Sequence, residues 1–264
     1  MKLLTDRMIA EKDGAIGWIT FNNPARHNAV SLAMWQALAE IVGDYAHDDA
    51  IRVIVVRGAG EKAFVSGADI SEFEEKRSSP ETTRLYNETA QRASRALKDV
   101  GKPTIAMIRG WCVGGGVSVA LSCDLRIAAE GSAFAVPAAK LGLGYEFEGV
   151  RKLVDVVGPS FAREIFYTAR QFTGQEALAM GLVNRLVPPD WLETYVRDYA
   201  DSIAANAPLT VASIKTLVAQ ALEDELQRDL KLCREVVDRC FDSEDYAEGR
   251  QAFMEKRKPK FAGR

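Results

Sequence analysis

The chain has 264 residues, 47% hydrophobic and 27% charged, with a formal net charge of −3. That length holds one large domain or a core with an appendage, and the composition is that of an ordinary globular protein. The charge argues against a general nucleic-acid binder and no apolar run is long enough to span a bilayer; without a secretory-signal pattern, a cytoplasmic location is expected.

In chain order, residues 15–21 read as a strand. Ser31 is placed to cap a helix running to about residue 46, with Leu32, Trp35, Leu38, Ala39 and Val42 on one face. Residues 51–57 form a continuous apolar strand, the pattern of a strand covered on both faces. A helix is expected after Ser66-Gly67-Ala68-Asp69 and a longer one over 80–99. Then come a strand at 104–108, a helix after Gly114-Gly115-Gly116, and short strands at 125–129 and 133–136. This β/α alternation implies crossovers and a layered α/β core. Beyond about Gly158 the periodicity turns helical, over 161–167, 174–180, 190–205, 209–240 and 243–256, with Gly and Pro breaks between. The tail Lys256-Arg257-Lys258-Pro259-Lys260 is basic.

Several chemistries are set aside by spacing. Cys112, Cys123, Cys233 and Cys240 make no C-x-x-C, and with His27 and His47 the only histidines no zinc set forms, so no metal is expected. Gly58-Ala59-Gly60-Glu61-Lys62-Ala63 follows a strand as a dinucleotide fingerprint does. That fingerprint needs a helix at its glycines, and Phe64-Val65 and another turn follow instead. No G-x-S-x-G elbow is present for a serine hydrolase.

Two loops carry the functional signal. Phe64-Val65-Ser66-Gly67-Ala68-Asp69-Ile70 and Gly110-Trp111-Cys112-Val113-Gly114-Gly115-Gly116 each follow an apolar strand and lead into a helix, where free N–H groups point outward. Two such groups on one oxygen would stabilise an oxyanion, which points to acyl or thioester chemistry. Tight turns and close packing also call for glycine.

These loops, with Asn22-Asn23-Pro24-Ala25-Arg26-His27-Asn28-Ala29, Cys123-Asp124-Leu125-Arg126-Ile127-Ala128, Thr173-Gly174-Gln175-Glu176-Ala177, Gly181-Leu182-Val183-Asn184, Glu244-Asp245-Tyr246-Ala247-Glu248-Gly249 and Phe253-Met254-Glu255-Lys256-Arg257, resemble the crotonase (enoyl-CoA hydratase/isomerase) superfamily over nearly the whole chain. The resemblance implies an α/β spiral of β-β-α turns over 1–195 and a helical oligomerisation region over 196–264, assembling trimers that often pair into hexamers. It implies an acyl-CoA substrate, no cofactor beyond the CoA it carries, and oxyanion donation by the N–H groups of Ala68 and Gly115. Ala25, Arg26 and Ser66, Gly67, Asp69 and Ile70 would lie along the CoA, with Gly114, Ser118, Ala138 and Tyr145 also at the substrate. Phe253 and Lys256 match positions that reach a neighbouring subunit's CoA adenine and phosphate.

The departures bear on the reaction. Hydratases of this family carry one glutamate two residues after the triple glycine, where this chain has Ser118, and another after a proline, where it has Ala138. Serine is a poor base near neutral pH and alanine transfers no proton; each lost acid–base group forfeits roughly 10²–10⁴-fold. The segment Leu141-Gly142-Leu143-Gly144-Tyr145-Glu146-Phe147-Glu148-Gly149 offers replacements. Glu146 matches the aspartate of dienoyl-CoA isomerases and hydroxyisobutyryl-CoA hydrolases of the family, and a poorly hydrated carboxylate there would serve as base or acid. Glu148 and Tyr145 are secondary candidates, and Trp111, Cys112, Phe73 and Tyr145 are expected around the acyl chain. Three readings stand: a hydratase-like enzyme, an isomerase or thioester hydrolase using Glu146, and a non-catalytic acyl-CoA binder.

Overall fold

The computed structural model describes residues 3–69 and 80–264. β1 (Met8–Asp13) and β2 (Ile16–Phe21) form an antiparallel hairpin whose turn includes Gly14 at φ +58°. β3 (Val53–Gly58), β5 (Thr104–Ile108), β7 (Leu125–Ala129) and β10 (Arg185–Val187) continue this sheet in parallel, in the order β1-β2-β3-β5-β7-β10. A second sheet has the order β4-β6-β8-β9. Its β4 (Ala63–Val65), β6 (Trp111–Val113) and β8 (Ala133–Ala135) run parallel, and β9 (Phe172–Thr173) closes it antiparallel.

The strand interiors show why the larger sheet is central. Along β3, Ile54 and Val56 join one apolar cluster while Val53 and Val55 join another, all four fully buried. Full burial of each such side chain favours folding by ~1.5–3 kcal/mol. The first cluster takes in α1 (Leu32–Ala46), whose Met34, Leu38, Ile41 and Tyr45 repeat every three to four residues, together with Leu97 of α2 (Pro80–Asp99). Ser31 caps α1 by accepting the Met34 N–H. On the opposite face, Leu192, Val196 and Ala200 of α6 (Leu192–Ala204) pack over Ile16, Trp18, Val53, Val55 and Ile105.

Between these lie α3 (Gly115–Leu121), α4 (Phe147–Thr168), bent at Gly158 (φ +74°), and α5 (Gly174–Ala179), whose Thr173 and Glu176 form a capping box. The chain then adds α7 (Pro208–Ala221), α8 (Leu230–Phe241) and α9 (Glu244–Glu255). Lys215 on α7 reaches the Asp124 carboxylate at 2.9 Å, and Arg52 donates to the Ala204 and Phe261 carbonyls, so this region is tied to the sheet. Ile214 and Val218 on α7 and Leu222 at its C-cap leave an exposed stripe, with Leu226, Leu230 and Phe241 exposed beyond it.

Some expectations change. The helix foreseen over 209–240 breaks, because Asp229 accepts the Leu232 N–H and starts α8 afresh. The helix foreseen at 161–167 is only the end of α4, strands β1, β9 and β10 were not foreseen, and the starts of the two glycine loops are themselves strands β4 and β6. The glycines at 58 and 60 lead into β4 rather than a helix, which removes the dinucleotide reading. Among the described residues no single helix is long and apolar enough to cross a membrane. The helix expected after Asp69 falls outside the described residues, as do Ile70 and Phe73.

Candidate active site

A peptide unit is planar and trans, so its C=O and N–H point in opposite directions. The Gly67 C=O accepts the Val30 N–H at 2.8 Å, and the Asp69 N–H returns to the Val30 C=O at 3.0 Å. This bridge turns the Ala68 N–H, which shares a peptide with the Gly67 carbonyl, away from Val30. The second loop obeys the same logic. The Gly114 C=O accepts the Ser118 N–H at 3.1 Å as the first bond of α3, so the Gly115 N–H points back out of the helix start. Among the described residues neither the Ala68 nor the Gly115 N–H has an acceptor.

Glycine is required where the loops converge. Gly67 sits at φ +115° and Gly114 at φ +53°, ψ −108°, backbone that a side chain resists. A Cβ on Gly116 would lie 2.1 Å from the Val65 carbonyl oxygen, so only glycine lets α3 start so close to β4. A Cβ on Gly115 would meet Gly67 at 3.7 Å and the Trp35 ring at 3.6 Å, so the loops touch each other and share Trp35 as backing. The parent strands β4 and β6 are ladder neighbours, a spacing of ~4.8 Å. An oxygen between two N–H groups at that separation can lie about 2.9 Å from both.

The remaining candidates divide by environment. Asp69 is 4% exposed and holds Arg26 at 3.0 Å, with Arg7 at 3.9 Å, so the carboxylate anchors Arg26 beside the first loop. Ala25 is exposed in the turn Pro24–Arg26, and Ser66 donates to the Arg26 carbonyl at 3.4 Å. His27 stacks on the exposed Trp111 ring at 5.7 Å. Cys112 is fully buried and burial pushes its thiol well up. Ser118 is half-buried; its carbonyl accepts the Ser122 hydroxyl at 2.9 Å, which in turn accepts from Lys152 at 3.0 Å, and burial lowers the Lys152 ammonium. Ala138 is buried.

Glu146 occupies the N-cap position of α4 with its carboxylate exposed and making no cap bond. In the single chain the residue lies at the surface, where a bound acyl chain would have to cover it for the poorly hydrated setting expected. Glu148 is engaged: the Arg95 guanidinium on α2 grips its carboxylate and holds it below the usual range. Tyr145 keeps 38% exposure while its ring packs edge-on against Phe166 at 4.8 Å, and burial raises its phenol. Phe253, 83% exposed, and Lys256, the left-handed C-cap of α9, project from the single chain.

Three structural residues lay beyond the sequence reading. Asn28, buried at φ +57°, donates to the Ala59 and Ala63 carbonyls and accepts the Asn23 N–H, joining the turn at 24–26 to the start of β4. Asparagine's tolerance of left-handed backbone is the signal that could have found it. Val30 and Tyr86 offered no such signal.

The Enoyl-CoA hydratase/isomerase family model matches residues 11–264. A short-chain-enoyl-CoA hydratase of Clostridium acetobutylicum is 33% identical over 96% of each chain. A crotonyl-CoA hydratase of Syntrophomonas wolfei is 32% identical over 97% of this chain and 98% of its own. Among solved structures, an enoyl-CoA hydratase/carnithine racemase of Magnetospirillum magneticum superposes with a TM-score of 0.92 at 36% identity, covering 98% of this chain and 97% of that one.

Proposed function

The chain belongs to the enoyl-CoA hydratase/isomerase family, and we propose that it is a hydratase-like enzyme that holds an enoyl-CoA thioester oxygen between the Ala68 and Gly115 N–H groups. The observation that carries this is the pair of unengaged N–H groups on touching loops. As water adds its oxygen to the β-carbon and gives up a proton to a base, electrons from the double bond move onto the thioester oxygen. Two fixed donors stabilise that enolate oxygen, and removing one costs ~2.7–4 kcal/mol of barrier. Protonation of the α-carbon then completes hydration. The chemistry we propose uses no cofactor beyond the CoA of the substrate.

For the proton we propose Glu146, the exposed carboxylate at the start of α4. Bound acyl-CoA and a neighbouring subunit would displace its water. Ala25, Arg26, Ser66 and Asp69 would flank the CoA, Arg26 as the surface cation and Asp69 as its anchor. Phe253 and Lys256 would serve the CoA of an adjacent subunit in a trimer or hexamer, supported by the exposed stripe on α7. Residues 196–264 are the proposed oligomerisation region, and the cytoplasm the proposed location.

Crotonyl-CoA hydration with mass analysis of the product tests this, with Glu146→Gln in parallel. Wild-type hydration lost in the variant supports the assignment. Hydration that survives it removes Glu146 from proton transfer. A second reading, isomerisation, thioester hydrolysis or binding alone, is favoured by Ser118 and Ala138, which bring no carboxylate. A folded wild type that binds crotonyl-CoA without hydrating it would select that reading. Sedimentation as a monomer would refute the trans role of Phe253 and Lys256.

A further inference from the structure

The Ala68 donor has support from a residue far away in sequence. The Trp35 indole Nε1–H donates to the Tyr86 hydroxyl at 3.0 Å, and that hydroxyl donates to the Val30 carbonyl at 3.1 Å. Val30 is the residue whose N–H fixes the Gly67 carbonyl, and with it the direction of the Ala68 N–H. The same Trp35 ring stands 3.6 Å from the Cβ position of Gly115. Trp35 and Tyr86 are 3% and 4% exposed, so the chain of bonds is shielded from competing water.

We infer that Tyr86 is a positioning residue, which with Trp35 aims the Ala68 and Gly115 donors at one oxygen through Val30 and the shared indole. The inference rests on the thioester reading above. Each link constrains the next. Trp35 sits in the first turn of α1, which Ser31 caps, so its ring is set by the same residues that lead out of Val30. The Val30 carbonyl receives both the Asp69 N–H and the Tyr86 hydroxyl, so its peptide is held from the loop and from α2 together. Without the hydroxyl, the Val30 bridge keeps its backbone bonds but loses the anchor that opposes its rotation. A rotation of the Val30–Ser31 peptide is passed through the Asp69 N–H to the Ala68–Asp69 peptide, and through the Val30 Cα to the N–H that holds the Gly67 carbonyl, so the Ala68 N–H is turned from both sides. An oxyanion donor is effective only when aimed at the place where charge develops.

The test is Tyr86→Phe, which keeps the ring and removes the hydroxyl. The C=O stretch of bound crotonyl-CoA reports donor alignment, and steady-state hydration separates kcat from KM. Tyr45→Phe serves as the control, since it also removes a buried hydroxyl, one bound to the Glu11 and Trp18 carbonyls at 3.0 and 3.1 Å. Expected for Tyr86→Phe is a kcat about 3- to 10-fold lower with little change in KM, and a carbonyl stretch moved toward that of free ligand. Tyr45→Phe loses stability and keeps both readouts. If Tyr86→Phe does not fold, Trp35→Phe removes the donor at the head of the chain and is expected to shift the stretch the same way. A lowered melting point with unchanged kcat and stretch would overturn the inference and leave the thioester reading intact. A wild type that neither turns over crotonyl-CoA nor shifts its carbonyl stretch would overturn that reading, and the inference with it.

Discussion

Gly116→Ala tests whether the closeness of α3 to β4 governs activity. A Cβ there would lie 2.1 Å from the Val65 carbonyl oxygen and 3.0 Å from the Val65 Cβ, and Val65 is a fully buried strand residue. Backbone oxygen cannot swing aside as a side-chain tip can. Restoring an ordinary 3.4 Å contact from 2.1 Å requires roughly 1.3 Å of separation between helix and strand. Forcing a methyl into a packed site costs ~1–3 kcal/mol, which in a chain of this size lowers Tm by ~2–4 °C per kcal/mol. The larger effect is functional. Gly115 moves with the helix while Ala68 stays with the loop after β4, and misplacement by about 1 Å can cost ~10²-fold in rate. Calorimetry supplies Tm and crotonyl-CoA hydration supplies kcat. Gly115→Ala is the contrast, since its Cβ would meet neighbours only at 3.6–3.7 Å, and near wild-type stability is expected. A Gly116→Ala protein with wild-type melting and wild-type turnover would refute the reasoning.

Other outcomes follow from features away from the donors. Gly43 lies within α1 and a Cβ on it would meet nothing within 4 Å. Gly43→Ala should therefore stabilise by ~0.5–1 kcal/mol, seen as a higher melting point; a lower one contradicts the open space. Glu248 is gripped by Arg257 and accepts the Lys260 N–H, which lowers its carboxyl from 4.5 to about 2. A depressed folded pKa stabilises above the unfolded value and loses that contribution as pH falls. The protection of residues 256–260 against amide exchange should thus exceed that of Glu248→Gln above pH 4.5, with the difference vanishing toward pH 2. Equal protection at neutral pH would remove the clamp. Cys112 and Cys123 are buried, and burial pushes the Cys123 thiol up to about 12. Iodoacetamide at pH 8 should leave both unmodified until the protein unfolds; mass spectrometry showing native labelling of either would contradict their burial.

The elements that sequence reading finds are those whose pattern is local. Ser31 and the apolar repeat after it locate α1, and the unbroken apolar run over 53–56 locates β3 because both of its faces are covered. Asp13-Gly14 is a hairpin signal that would have found β1, but the exposed, charged second half of that strand, Glu11-Lys12-Asp13, obscured it. Helix α4 was hidden by Gly149 and by Gly158-Pro159, which break a periodicity that the structure continues across a bend. The close approach of the two glycine loops was legible because glycine is itself the signal for it. Their supports were not. Trp35 and Tyr86 lie 51 positions apart, and no spacing rule relates an indole on one helix to a phenol on another. The environment of Glu146 was equally beyond reach, since exposure depends on how the turn before α4 lies against everything else.

The two sheets grow together. Each pass of the chain lays one strand in the larger sheet and the next in the smaller: β3 then β4, β5 then β6, β7 then β8. The smaller sheet thereby acts as a ruler, setting Ala68, the Gly115 turn and Ala138 at successive marks about one strand spacing apart. The long excursions between marks do not enter that measurement. Under the proposed function, holding a carbonyl and moving a proton are separable inheritances: the first rests on the ladder and its braces, the second on single side chains at positions such as 118, 138 and 146. On the proposed reading, a scaffold of this kind can exchange one reaction for another by point substitution at the proton-carrying positions, while its donors depend on the ladder and on the few residues that brace it.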